Sequence, residues 1–109
     1  MIAVLDEIQV RAGCAARYES AYRERYMPLA RARGMTLEQA LMAPPLPMAD
    51  SAQTLLYIWS LPDPAAWWRM RYGAYDPQVR QFWAETAALV LERRRLYLGS
   101  LPQALEPPA

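Results

Sequence analysis

Histidine, lysine and asparagine are all missing from this chain, and its 12 basic residues are all arginine. Their absence removes Ser-His-Asp and Cys-His nucleophilic arrangements, Schiff-base lysines, and the usual zinc and haem-iron ligand sets. Cysteine is nearly missing too: Cys14 stands alone, so no internal disulfide can form and no oxidising compartment is implied. Charge of one sign is also lacking, since 12 basic and 11 acidic residues are mixed along the chain for a net +1, and nothing points to nucleic acid as a partner. There is no long apolar run. The opening MIAVLDEIQV meets Asp6 and Glu7 and has no basic leading segment, so it reads neither as a signal peptide nor as a membrane span. The expectation is a cytoplasmic protein without a membrane partner, metal or bound cofactor.

What the chain does have is aromatic surface. Four tryptophans, seven tyrosines and one phenylalanine in 109 residues need a packed core or a shared interface to cover them. The most patterned stretch is QTLLYIWSLPDPAAWWRMR, Gln53 to Arg71. Its first half alternates as a strand does, Pro62 and Pro64 break it, and a helix follows. Both alternating sets of this strand are largely apolar, which predicts cover on two sides, and any site is expected along its Tyr57/Trp59 side.

Ile2 to Val10 also reads as a strand, with Ile2, Val4, Ile8 and Val10 pointing toward helices, Asp6 as the exception in that set, and Glu7 and Gln9 facing away. From Cys14 to Arg33 the spacing of Tyr18, Ala21, Tyr22, Tyr26, Leu29 and Ala30 predicts a helix, with Arg17, Glu24, Arg31 and Arg33 on a solvated face. Pro28 predicts a kink or break near Met27, and Gly34 the helix end. Met35 to Met42 is a weaker strand, with Leu37 and Leu41 toward the helices and Glu38 away. Ala43 to Ala52 is a proline-rich loop, long enough to cover the mouth of a pocket.

Asp63-Pro64 and Asp76-Pro77 each have the form of a helix cap with proline at the first turn. They predict two short helices, one carrying Trp67, Trp68, Met70 and Arg71, the other burying Val79, Phe82, Trp83, Thr86, Ala87 and Val90. Arg93, Arg94 and Arg95 are expected at the C-terminus of the second helix, and Leu96 to Leu98 as a short last strand. The order β-α-β-β-α-β, its second helical region broken in two, is the ferredoxin-like split β-α-β arrangement of an α+β fold. One domain is expected over residues 1–100, followed by a proline-rich, partly disordered tail over 101–109. Helices on one side leave a sheet face uncovered, and that face is expected to carry Leu5, Tyr57 and Trp59. Burying it across a two-fold axis predicts a homodimer, a dimeric α+β barrel.

In this order the chain resembles the NIPSNAP family of dimeric α+β barrels. Asp6-Glu7-Ile8-Gln9 stands where that family has an aromatic-Glu-Leu-Arg strand, and Arg11-Ala12-Gly13 at its Lys-Pro-Gly turn. Pro28-Leu29 with Arg33-Gly34 is similar to its Leu-Pro helix ending in a basic-His-Gly pattern. Tyr57-Ile58-Trp59 is similar to its His-Leu-Trp strand, and Asp76-Pro77 with Phe82 to its Asp-Pro-x-Trp-x-x-Phe helix start. Tyr57 replaces a frequent His, Gln9 an Arg, and Ser60 a residue that is often Arg. The wider superfamily includes cofactor-independent monooxygenases, polyketide cyclases and lactone isomerases, and haem-degrading enzymes that this chain, without His and Asn, looks unlike.

Two readings follow. In one, the homodimer binds a small, largely apolar organic molecule, aromatic or polyketide-like, and acts on it without a cofactor as an isomerase, cyclase or monooxygenase. Glu7 and Tyr57 are then the catalytic candidates, and Trp59, Trp67, Arg71, Tyr72 and Glu38 the substrate-binding ones. In the other, the barrel is a non-catalytic ligand-binding or interaction module: Glu7 pairs with an arginine, and Tyr57 and Trp59 are packing. A cavity on which Glu7 and Tyr57 converge favours the enzyme; a barrel filled by its own aromatics favours the module.

Overall fold

The computed structural model describes residues 1–107; Pro108 and Ala109, the end of the tail expected to be partly disordered, lie outside the described residues. Strand β1 spans Ile2–Val10, helix α1 Ala15–Ala21 and helix α2 Met27–Ala32, with Tyr22–Tyr26 between them wound as a π-helical turn. Strands β2 (Thr36–Ala43) and β3 (Gln53–Leu61) follow, then helices α3 (Pro64–Gly73) and α4 (Pro77–Thr86), strand β4 (Val90–Gly99) and a final short turn, α5 (Leu101–Ala104). The four strands form one sheet in the order β2-β3-β1-β4, with every neighbouring pair antiparallel. This is the ferredoxin-like arrangement expected from the order of elements.

The long helix does not break at Pro28. Proline cannot donate to the carbonyl four residues back, and the wider winding of Tyr22–Tyr26 absorbs that loss: the N–H of Met27 reaches the Tyr22 carbonyl instead. Gly34, at φ +89°, ends the helix as expected, with the Met35 N–H closing back on the Ala30 carbonyl at 3.1 Å. The two Asp-Pro caps form as read. Asp63 accepts from the Ala66 N–H at 2.8 Å and Asp76 from the Gln78 N–H at 2.9 Å.

Between sheet and helices lies one core. Val4, Ile8, Leu55, Tyr57, Trp59 and Leu61 from the sheet meet Tyr18, Tyr22, Tyr26, Met70 and Phe82 from the helices. Tyr57 and Trp59 therefore lie on the covered side, and Leu5 on the open side opposite Ile58. The expectation that Leu5, Tyr57 and Trp59 share the open face fails because residues paired across antiparallel strands share a face, and here Asp6 pairs with Tyr57 and Val4 with Trp59. The large rings sit where the helices give them depth: Tyr57 stacks on Tyr22, with centroids 3.7 Å apart and planes 12° from parallel.

Two arginine readings are corrected. Arg93–Arg95 are not at a helix end; α4 stops at Thr86, and β4 begins at Val90, well before Leu96. On that strand they alternate, Arg93 and Arg95 toward the helices and Arg94 toward the open face, where it pairs with Glu7. Arg33 is not on a solvated face either: it donates to the Tyr26 hydroxyl at 2.6 Å and the Met70 carbonyl at 3.3 Å, tying α2 to α3. In β2 the pairing slips between Leu37 and Gln39, leaving Glu38 as an extra residue. Leu37 keeps the helix side opposite Trp59, but the slip turns Leu41 to the open side opposite Leu56.

Candidate active site

Asp6 is the key to how the interior is set. It is fully buried, accepting from Arg95 Nε at 2.5 Å and Nη2 at 2.7 Å and from the Tyr22 hydroxyl at 2.8 Å. Trp59 Nε1 donates to that same hydroxyl at 2.9 Å, and Arg95 also reaches the Tyr26 hydroxyl at 2.6 Å. A buried carboxylate and guanidinium persist only when paired and hydrogen-bonded, and this network does both. It fixes Tyr22, and through the stack on Tyr22 it fixes the ring of Tyr57. Burial, then the Asp6 charge, hold the Tyr22 hydroxyl well above the ordinary tyrosine range.

Beside this filled interior, between α1 and β2, opens a cavity of about 280 Å³. Its wall is mostly apolar: Ala15 and Ala16 from α1, Ala40 and Met42 from β2, Leu55 from β3, and Pro47 from the loop of residues 44–52. The loop cannot join the sheet, so its backbone needs other partners. The buried side chain of Gln53 supplies them, accepting from the Met48 N–H at 3.1 Å and donating to the carbonyls of Leu46 at 2.7 Å and Pro44 at 3.3 Å.

Two polar groups reach this wall, the Tyr57 hydroxyl and the Glu19 carboxylate, and the hydroxyl donates to Glu19 Oε2. Glu19 Oε1 is held by Arg23 at 3.1 Å, a partly exposed pair one helical turn apart. Burial first, then the bond to Glu19 and its charge, push the Tyr57 hydroxyl far above the usual tyrosine range. Tyr57 thus carries its proton at neutral pH.

Glu7 and Tyr57 do not converge. They lie on opposite faces of the sheet, and Glu7 pairs with Arg94 at 2.7 Å in a polar groove with Gln9, Thr54 and Glu92. Glu38 accepts from Ser60 at 2.8 Å, also on the open side. Trp59 is wholly enclosed. Trp67 and Arg71 do come together, with Tyr97: Arg71 donates to the Tyr97 hydroxyl at 3.1 Å and lies over both rings, at 5.7 Å from Trp67 and 5.4 Å from Tyr97. Trp67 and Tyr97 wall a second cavity of about 320 Å³, closed partly by Gln103 of α5. Tyr72 is in neither cavity; it is exposed and leans on Trp68 at 6.4 Å. Glu19 was missed in the sequence because it falls among charged residues of the helix; its one legible signal is that Tyr18 and Tyr22 bracket it on the buried stripe.

Among the described residues, no group of three or more His, Cys, Asp or Glu side chains is placed to hold a metal ion, and no helix is long and apolar enough to cross a membrane.

No protein-family model matches the chain, and no curated protein matches it. Solved structures do. A NIPSNAP domain protein from Burkholderia xenovorans superposes with a TM-score of 0.72 at 15% identity over 99% of this chain and 100% of that one. A NIPSNAP family protein from Agrobacterium tumefaciens gives 0.69 at 17% identity over 91% and 84%. A candidate antibiotic biosynthesis monooxygenase from Nitrosomonas europaea gives 0.67 at 13% identity over 93% and 99%. The chain thus has the ferredoxin-like α+β fold of the NIPSNAP domain proteins, the family its sequence resembles.

Proposed function

We propose that this protein is a homodimeric α+β barrel whose subunits bind a compact, largely apolar organic molecule in the cavity between α1 and β2 and move a proton on it without a cofactor. The observation that carries this is the Tyr57–Glu19 pair at the wall of an otherwise apolar cavity, an acid-base couple in a place where a ring compound fits. A dry cavity of roughly 150 Å³ takes benzene, so 280 Å³ suits one or two fused rings rather than an extended polyketide. For a cyclic ketone, Glu19 takes the proton from the carbon next to the carbonyl as that C–H bond breaks. The electron pair passes to the oxygen as an enolate, to which Tyr57 turns its hydroxyl; where a β,γ double bond extends the enolate to a dienolate, return of the proton to the γ-carbon shifts that double bond into conjugation and completes an isomerisation. The Trp67–Tyr97 cavity offers an indole and a phenol, which suit binding rather than proton abstraction.

The dimer rests on the open sheet face. Leu5, Leu56, Ile58 and Leu96 lie there half-buried, flanked by Leu41 at 49% and Leu98 at 45% exposure. An apolar sheet face of this kind needs cover. The non-catalytic reading keeps one specific support: the space between sheet and helices is filled by the chain's own Tyr22, Tyr57, Trp59 and Phe82. Native mass spectrometry of the purified protein, followed by amide chemical-shift mapping with 2-tetralone, tests the proposal. A dimer, with shifts clustered at Ala15, Ala40 and Leu55, supports it; a monomer overturns the barrel, and no shift at those amides overturns the ligand site.

A further inference from the structure

A groove of about 350 Å³ lies on the other side of α1 from the Tyr57–Glu19 cavity, between α4 and the edge strand β4. Thr86, Ala87 and Val90 give it an apolar floor, and Tyr18, Trp83 and Arg93 its functional wall. Tyr18 is fully buried, yet among the described residues its hydroxyl has no hydrogen-bond partner. Buried hydroxyls are nearly always paired, so an orphan in a groove wall is a donor waiting for an acceptor. Arg93, on the same strand face, has its guanidinium 3.6 Å from the centre of the Trp83 ring. Among the described residues it has no carboxylate partner, whereas Arg94 pairs with Glu7 and Arg95 with Asp6. Stacked on an indole, a guanidinium keeps its in-plane N–H edge free, the edge that binds a carboxylate bidentately.

We infer that this groove is a second binding site, for a small planar aromatic carboxylate: its ring rests on Thr86, Ala87 and Val90, and its carboxylate accepts from the Arg93 guanidinium and the Tyr18 hydroxyl. The other charges nearby do not oppose this. Asp6 is neutralised by Arg95, and Glu92, which borders this groove as well as the polar groove of Glu7 and Arg94, is paired with Gln9 on the strand face opposite Arg93. Burial, then the Asp6 charge, hold the Tyr18 hydroxyl well above the usual tyrosine range, so it keeps the proton it would donate. The site is distinct from the proposed proton-transfer cavity and stands or falls apart from it.

The test is titration of the full protein with 2-naphthoate, and with uncharged 2-methylnaphthalene as control, followed by amide chemical shifts and calorimetry. The inference predicts shifts centred on Trp83, Thr86 and Arg93, and at least about tenfold weaker 2-naphthoate binding in Arg93→Gln, as expected for loss of a charge-assisted bidentate contact. It also predicts weaker binding in Tyr18→Phe, no such loss for 2-methylnaphthalene in either variant, and a fall in affinity with added salt. Arg93 is exposed and Tyr18→Phe removes only an unpaired hydroxyl, so both variants keep the fold. Equal 2-naphthoate affinity in wild type and Arg93→Gln would overturn the inference. So would shifts centred on Ala15, Ala40 and Leu55, which would place the carboxylate in the other cavity.

Discussion

Substituting Asp6 by Asn tests the network that aligns the interior. Asparagine keeps the size but loses the charge and turns one acceptor oxygen into an NH2 donor, in a place where all three neighbours are donors: Arg95 Nε, Arg95 Nη2 and the Tyr22 hydroxyl. The Arg95 side chain, only 13% exposed, is then left charged and without its counter-ion. Removing one partner of a buried pair costs about 3–5 kcal/mol, a large fraction of the roughly 5–15 kcal/mol that holds a domain together. With a urea dependence of about 1–3 kcal/mol per molar, the unfolding midpoint should fall by at least about 1 M at fixed protein concentration. The double variant Asp6→Leu, Arg95→Met removes both charges and should be more stable than Asp6→Asn by at least about 1 kcal/mol, because no uncompensated charge remains. A loss below about 1 kcal/mol in Asp6→Asn, or a double variant no better than it, would refute the claim that the pair is buried and mutually dependent.

Three further outcomes follow from the same structure. Tyr18, Tyr22 and Tyr57 all have raised folded-state pKa values, so their contribution is fully present below the unfolded value of about 10 and is lost as pH rises above it. At about 1.4 kcal/mol per group and pH unit, stability should fall by roughly 4 kcal/mol per unit above pH 10, and tyrosinate absorbance for these three should appear only with loss of near-ultraviolet circular dichroism; their ionisation with the fold intact would contradict it. Gln53→Ala removes three bonds that pin the 44–52 loop and should cost about 2–3 kcal/mol at roughly 1 kcal/mol each, with faster amide exchange at Met48; unchanged exchange would show that the loop is held otherwise. Ile58→Arg places a charge in the centre of the open sheet face opposite Leu5 and should convert the proposed dimer to a monomer in sedimentation velocity; a dimer unaltered by the substitution would contradict the use of this face.

The fold was legible because its signals are local: alternation in β1 and β3, the Asp-Pro caps and Gly34 each act within a few residues. Which face of β3 would be covered was not, since both sets of its side chains are apolar. The choice is made by the register with β1 and by the tyrosine stripe on the helix. Arg93–Arg95 misled for a similar reason: three adjacent cations suit a helix end, and only pairing with Asp6 and Glu7 across the sheet shows them to be a strand. Glu38 hid a bulge, which no alternation pattern could place, and so Leu41 was assigned to the wrong face. Tyr57 stands out in the sequence, but its hydrogen-bond partner Glu19 is 38 residues away and joined to it only by the packing of α1 on the sheet.

The central claim is that Tyr57 and Glu19 form an acid-base pair facing a ligand cavity. It is tested most directly by following exchange of the α-protons of 2-tetralone in deuterated buffer by NMR, with wild type, Glu19→Gln and Tyr57→Phe in parallel. The account predicts protein-dependent exchange that falls by about tenfold or more in each variant, as loss of a general base or of an oxyanion donor would cause. Exchange no faster than in buffer, or equally fast in all three proteins, would contradict it.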